Sequence, residues 1–212
     1  VLKKYDILFI VDEVICGFGR TGNMFGTQTY DLRPDMMTMA KALSSSYMPI
    51  SALMMNQKIF DVISANSDKV GTFGHGYTYS AHPVAAAVAL ETLKIYAERD
   101  IVAHVRGVMG RFQDRFNRLA GHSLAGEVRC VGLIGAVELV RDKATKEPFE
   151  TAHGVGAYVA SQAQENGLIL RALGDSVALC PPLIITEAEI DQIFDRLEKA
   201  LDEGAVMAAG LD

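Results

Sequence analysis

Two short apolar runs near the start of the chain each end on charged residues, and no other feature restricts the fold as much. Ile7-Leu8-Phe9-Ile10-Val11 runs into Asp12-Glu13, and Met36-Met37-Thr38-Met39-Ala40 runs into Lys41. Unbroken apolar runs of this length are expected of strands covered on both faces in a parallel sheet. A Gly-rich polar segment from Gly17 to Gly26 and then Pro34-Asp35 separate them. Two successive strands therefore deliver a carboxylate and an amine at their C-terminal ends. In open α/β sheets ligands bind at that end, because loops and helix N-termini converge there.

The rest of the chain alternates helical and strand patterns. Val1 to Asp6 reads as the tail of a helix feeding the first strand, so a preceding segment is expected. Ser51 to Met55 is expected to be a strand and Lys58 to Ser64 a short helix. The segment from Gly71 to His82 reads as a loop unusually rich in rings. Val84, Val88, Leu90, Leu93 and Tyr96 recur at helical spacing after Pro83, which suits a first helical turn. A second helix is expected from Ile101 to Leu119. Beyond Ser123 come strand signals within Val128 to Val140, a helix over Thr151 to Asn166, and strands at Leu168 to Leu170 and Val177 to Leu179. Thr186-Glu187-Ala188-Glu189 has the form of a capping box opening a last helix, with Ile190, Ile193, Leu197 and Leu201 on one face. A boundary near residue 120 is expected, dividing part of a large α/β domain (1–120) from a small α+β domain (121–212).

Composition removes several classes of function. The net charge is -6, with 20 basic against 26 acidic residues, and the basic residues are scattered, so nucleic acid is not an expected partner. No apolar run is long enough for a membrane helix. Cys16, Cys130 and Cys180 form no C-x-x-C pair, which fits a reducing cytoplasm and buried thiols rather than a disulfide framework. His75 and His82 match no metal-binding spacing, so no metal is expected.

Lys41 lies where its charge would be costly to bury. Judged by itself it is a strand-end lysine reaching for water. With a carboxylate on the neighbouring strand end, a desolvated amine able to condense with an aldehyde cofactor becomes the better account. Asp12 would then pair with the nitrogen of a pyridine ring and keep it protonated. Gly17-Phe18-Gly19-Arg20-Thr21-Gly22 fits the dinucleotide pattern G-x-G-x-x-G, but Asn23 to Gly26 and Pro34 carry no helical periodicity, so no helix is expected to present its N-H groups to a pyrophosphate. Those glycines are expected to let a loop pass close to a cofactor or a neighbouring subunit. Thr78 offers a hydroxyl and a backbone N-H to a phosphate or to its own turn. Arg171, expected at the end of the strand 168–170, suits either an ion pair with Asp175 or a two-pronged clamp on a substrate carboxylate.

Taken together, Val11-Asp12-Glu13-Val14, Gly17 to Gly22, Lys41-Ala42-Leu43-Ser44-Ser45, and Thr72-Phe73-Gly74-His75-Gly76-Tyr77-Thr78-Tyr79 through His82-Pro83 resemble the class III aminotransferases. The resemblance runs the whole chain and is strongest to ω-transaminases that use pyruvate as amino acceptor. It implies the pyridoxal-phosphate-dependent transferase fold type I, like aspartate aminotransferase, and a homodimer with a shared active site acting on a small amine and a keto acid. Lys41 is similar to the lysine that carries pyridoxal 5'-phosphate and Asp12 to the partner of its ring nitrogen. Val14 is similar to the residue packed on the ring. Thr78 resembles the threonine that crosses the dimer interface to the phosphate, with Tyr77 on the same boundary. Arg171 resembles the mobile arginine that binds the keto-acid carboxylate. The family's N-terminal half, with its phosphate loop and ring-stacking aromatic, has no counterpart in these residues. Another reaction on the same fold, such as that of an aminomutase or a decarboxylase, uses the same lysine and aspartate. A role purely as a dimerisation module is the non-enzymatic alternative.

Overall fold

The computed structural model describes residues 1–211, which form two compact units, Val1–Val102 and the residues from Ala103 onward. The units divide near the start of a long helix, ahead of the position expected from sequence near residue 120.

The first unit is organised by three strands. β1 (Ile10–Asp12) runs parallel to β2 (Met36–Met39), which pairs antiparallel with β3 (Ala52–Met55). A single one-turn helix, α1 (Gly26–Thr29), lies on the crossover between β1 and β2. Asp35 sets the register. Its carboxylate accepts from Phe9 N (2.8 Å) and Asn56 Nδ2 (2.8 Å), and its carbonyl accepts from Asn56 N (2.9 Å), so one residue fixes the entry to β2, the approach to β1 and the exit of β3. The two-sided burial expected of the first run is not found. The strand begins at Ile10, which is 55% exposed, with Ile7 and Leu8 also half exposed. An apolar run reports a tendency to be covered, and the described residues do not cover this one.

Beyond β3, α2 (Gln57–Val70) is capped by Asn56, whose side chain accepts from Ile59 N (3.0 Å). It extends well past the expected 58–64, because Asn66 and Ser67 return hydrogen bonds to the carbonyls of Val62 and Ile63. Short polar side chains of this kind weaken the helical signal in a sequence without breaking the helix. After the loop 71–82, α3 (Pro83–Glu98) starts with proline in its first turn. Its buried stripe is Ala85, Ala89 and Thr92 rather than the larger residues that set its periodicity; Leu90 is 63% exposed.

The second unit has a closed core. α4 (Ile101–Arg118) and α6 (Glu187–Ala208) supply Phe112, Phe116 and Phe194, three buried rings in mutual contact at 5.4–5.5 Å between centroids, Phe194 meeting the other two edge-on. The same two helices are bridged by Arg115 to Asp191, Asp195 and Glu198, and by a two-pronged Arg111–Asp191 pair at 2.9 and 2.7 Å. An antiparallel sheet ordered β4-β5-β7-β6 accompanies them: β4 (Ala125–Val131), β5 (Ile134–Leu139), β6 (Arg171–Leu173) and β7 (Ser176–Leu179). Gly135 on β5 permits close approach, since a β-carbon there would lie 2.7 Å from the Phe116 ring. α5 (Val155–Glu165) begins four residues later than expected, after Gly154 turns left-handed at φ 61. The capping box on α6 is present as expected, with Thr186 and Glu189 exchanging hydrogen bonds.

The strand expected at 168–170 is shifted. Residues 171–173 pair with 176–178 of β7 across a two-residue turn, Gly174-Asp175, with Gly174 at φ 60, while Ile169 is 88% exposed. The hairpin turn decides the register, not the apolar run before it. The thiols also differ from expectation: Cys16 and Cys130 are half-buried and Cys180 is exposed.

Among the described residues no helix is long and apolar enough to cross a membrane, and no cluster of three or more His, Cys, Asp or Glu is arranged to hold a metal ion.

Candidate active site

Asp12 closes β1 and stands directly opposite Thr38 on β2. Its Oδ1 accepts from Val14 N (3.0 Å) and from Thr38 Oγ1 (3.0 Å). The Val14 amide first, then the Thr38 hydroxyl, and to a lesser degree the charge of Lys41 hold this exposed carboxyl below its usual titration range. Asp12 is therefore a carboxylate with a fixed orientation, and Lys41 is near enough to be felt by it. Val14 belongs to the same feature through its amide.

Glu13, one residue on, points the other way. It is 1% exposed, and its carboxylate accepts from Gly26 N (2.9 Å) and Thr27 N (2.6 Å), the first amides of α1. Hydrogen bonds from backbone N–H groups to a charged acceptor contribute about 1.5–3 kcal/mol each. The pair anchors the far end of the glycine loop. At the near end Gly17 N donates to Glu13 O (2.8 Å), and a β-carbon on Gly17 would meet that oxygen at 2.7 Å. No helix opens at Gly22, so the dinucleotide pattern has no structural counterpart. The loop instead folds inward and places Phe18, 3% exposed, in a cluster with Met39, Leu43 and Ala89. This cluster underlies the turn that carries Lys41.

Lys41 follows β2 in a 3-10 turn, Lys41–Leu43. It is exposed, so the desolvated amine expected from the sequence is not found, because the described residues do not cover this strand end. Its backbone is left-handed at φ 46°, a conformation that costs a non-glycine residue roughly 1–3 kcal/mol and that it shares with eight other non-glycine residues among those described.

Tyr77 and Thr78 lie on the exposed loop 71–82, where Phe73, His75 and Tyr77 form a chain of ring contacts at 5.8 and 5.7 Å. The turn there is closed by Ser80, whose Oγ accepts from Tyr77 N (2.9 Å). His82 caps α3, its Nδ1 accepting from Val84 N (3.3 Å).

Arg171 belongs to the other unit. It opens β6 instead of ending a strand, is exposed, and lines an open groove of about 480 Å³ with Ser161, Gln164 and Leu170. Asp175, its alternative ion-pair partner, accepts from Gly156 N instead (2.8 Å). Asp12, Val14 and Lys41 are thus brought together in the first unit, with Tyr77 and Thr78 on a loop of that unit and Arg171 in the second.

The model of the family "Aminotransferase class-III" matches residues 1–201. This chain belongs to the class-III aminotransferase family. Gamma aminobutyrate transaminase 1, mitochondrial, of Solanum lycopersicum is 48% identical over 203 residues, covering 96% of this chain and 39% of that protein. Gamma-aminobutyrate transaminase 1, mitochondrial, of Oryza sativa subsp. indica is 49% identical over 201 residues, covering 95% and 39%. Among solved structures, a "Transaminase with L-ala" is 52% identical with a TM-score of 0.93, over 97% of this chain and 48% of that one. The omega transaminase from Pseudomonas jessenii in complex with PMP is 48% identical with a TM-score of 0.94, over 100% and 47%. The fold is that of these family members, fold type I, represented in part. The chain spans about two-fifths of the length of the curated relatives it matches.

Thr38 and Glu13 escape sequence reasoning. Thr38 is marked only as the one hydroxyl in a methionine-rich strand; Glu13 is marked as a charge at the strand end, but nothing in the sequence shows that it turns inward to residues with no local relation to it.

Proposed function

We propose that this chain contributes the lysine-bearing part of a pyridoxal-phosphate-dependent aminotransferase that moves an amino group from an amine or ω-amino acid to a keto acid, with pyruvate as acceptor. The observation that carries the proposal is the pairing of Asp12, ionised and oriented by Val14 N and Thr38 Oγ1, with Lys41 on the turn after the neighbouring parallel strand. An ionised carboxylate and an exposed amine on adjacent strand ends are a donor set that fits pyridoxal phosphate. Bound there, the cofactor supplies a ring that accepts electrons when the substrate carbon loses its proton.

Asp12 would keep the proton on the ring nitrogen, and Val14 would pack against the ring. Lys41 Nζ would hold the cofactor at rest and, once released, would move the proton from the amine-bearing carbon of the substrate to the cofactor carbon it had occupied, the keto-acid half of the cycle running the same transfer in reverse. Tyr77 and Thr78 would reach the phosphate held by the second protomer of a homodimer, and Arg171 would bind the carboxylate of the keto acid through its planar fork. The relatives' names, gamma-aminobutyrate transaminases, support an ω-amino acid as donor, and pyruvate as acceptor rests on the sequence resemblance together with a similar transaminase solved with L-ala, the amino counterpart of pyruvate.

Incubating the chain with pyridoxal phosphate, reducing with borohydride and mapping the labelled peptide tests the assignment. Label at Lys41, abolished in Lys41→Ala, is expected; label elsewhere, or persisting in Lys41→Ala, refutes it. Amine consumption with pyruvate against 2-oxoglutarate tests the acceptor.

A further inference from the structure

Three of the six residues from Lys41 to Ser46 are non-glycine residues at positive φ: Lys41 (46°), Ser45 (47°) and Ser46 (63°). Such backbone persists only where its surroundings over-determine it. The turn's internal bonds, from Ser44 N and Ser46 N to Lys41 O at 3.2 Å each, fix its shape without tying it to anything else.

Two hydroxyls add what those bonds lack. Ser44 is buried, and its Oγ donates to Met48 O at 2.6 Å, pulling the descending chain against the turn. From α3, Tyr96 directs its hydroxyl at Ala42 O, the peptide next to Lys41, at 3.5 Å. The Ser45 side chain bonds the same hydroxyl, so Tyr96 meets the turn at two residues, while burial of the ring raises its pKa. The ring is fixed by packing against the Phe18 cluster, 6.4 Å from Phe18 itself. The strained turn is thereby held by its own outgoing chain and by a separate helix.

We propose that Ser44 and Tyr96 are positioning residues for Lys41, holding its turn in the left-handed form that presents Nζ to an aldehyde cofactor. Neither touches the reacting atoms, and the proposal rests on Lys41 being the cofactor-bearing residue.

The test compares two rates at Lys41 in the intact chain by peptide mass: borohydride-trapped incorporation of pyridoxal phosphate, which demands a placed amine, and acetylation by acetic anhydride, which does not. The ratio of the two is expected to fall about tenfold in Ser44→Ala and several-fold in Tyr96→Phe, since small misplacements of a reacting group carry penalties of that order or larger. A role confined to stability leaves the ratio unchanged in protein that melts cooperatively, and that result overturns the proposal. If Ser44→Ala does not fold, Tyr96→Phe decides alone, because it keeps the ring. Normal ratios in both variants remove the positioning role and leave Lys41 as the cofactor residue. Label on other lysines of the unsubstituted chain with none at Lys41 removes both.

Discussion

Thr38 Oγ1 donates to Asp12 Oδ1 at 3.0 Å across a parallel strand pair in which these two residues stand opposite one another. The strand register therefore orients the carboxylate, and the same register brings β2 toward the turn of Lys41. A hydroxyl on one strand and an acid on the next are coupled before any ligand is considered.

Thr38→Val keeps the branched shape and removes the donor. Asp12 is held low by the Val14 amide and then by Thr38, so its titration in the variant should move up toward the ordinary carboxylate value of 3.8. A carboxyl depressed in the folded state contributes stability that is complete above its unfolded pKa and is lost as pH falls through the folded one. The acid-side limit of that contribution should accordingly shift to higher pH in the variant. Carboxyl-detected NMR titration of Asp12 is the check; an unmoved midpoint contradicts the assigned cause.

Glu13→Ala leaves the Gly26 and Thr27 amides without their acceptor in a buried position. The first unit should lose about 3 kcal/mol in urea unfolding, and Glu13→Gln, which keeps one acceptor oxygen, should lose less. Equal losses for the two substitutions would show that packing rather than hydrogen bonding anchors the loop.

Lys41→Gly and Lys41→Ala both remove the amine, but only glycine adopts φ 46° without a β-carbon clash. The glycine variant should be more stable than the alanine variant by about 1 kcal/mol, although alanine is the better residue in ordinary helical backbone. Thermal melting of the two variants side by side measures the strain stored at this position.

In the second unit, Phe194 touches both Phe112 and Phe116 with no solvent exposure. Phe194→Ala should cost about 4 kcal/mol. Calorimetry should show the loss in the second unit, where the three-ring cluster lies.

The strand tips bearing Asp12 and Lys41 are legible in the sequence because an uninterrupted apolar run that stops at a charge marks the place where a strand leaves its sheet. The capping box at Thr186 is legible for a similar reason, since its signal is local. Arg171 is misplaced by sequence because an apolar tripeptide, 168–170, outweighs the Gly174-Asp175 turn that sets the hairpin register. The length of α2 is hidden by Asn66 and Ser67, whose side chains satisfy helix carbonyls. The inward turn of Glu13 cannot be found from local pattern, because its partners are thirteen and fourteen residues away. Local chemistry can be read from the order of residues; bonds that close loops cannot.

The nitrogen-15 shift of ring-labelled pyridoxal phosphate bound to this chain tests the pairing of Asp12 with Lys41 most directly. A protonated ring nitrogen is predicted with Asp12 in place, changing to the unprotonated shift in Asp12→Asn while Lys41 remains the labelled residue. The same shift in both proteins would contradict the pairing.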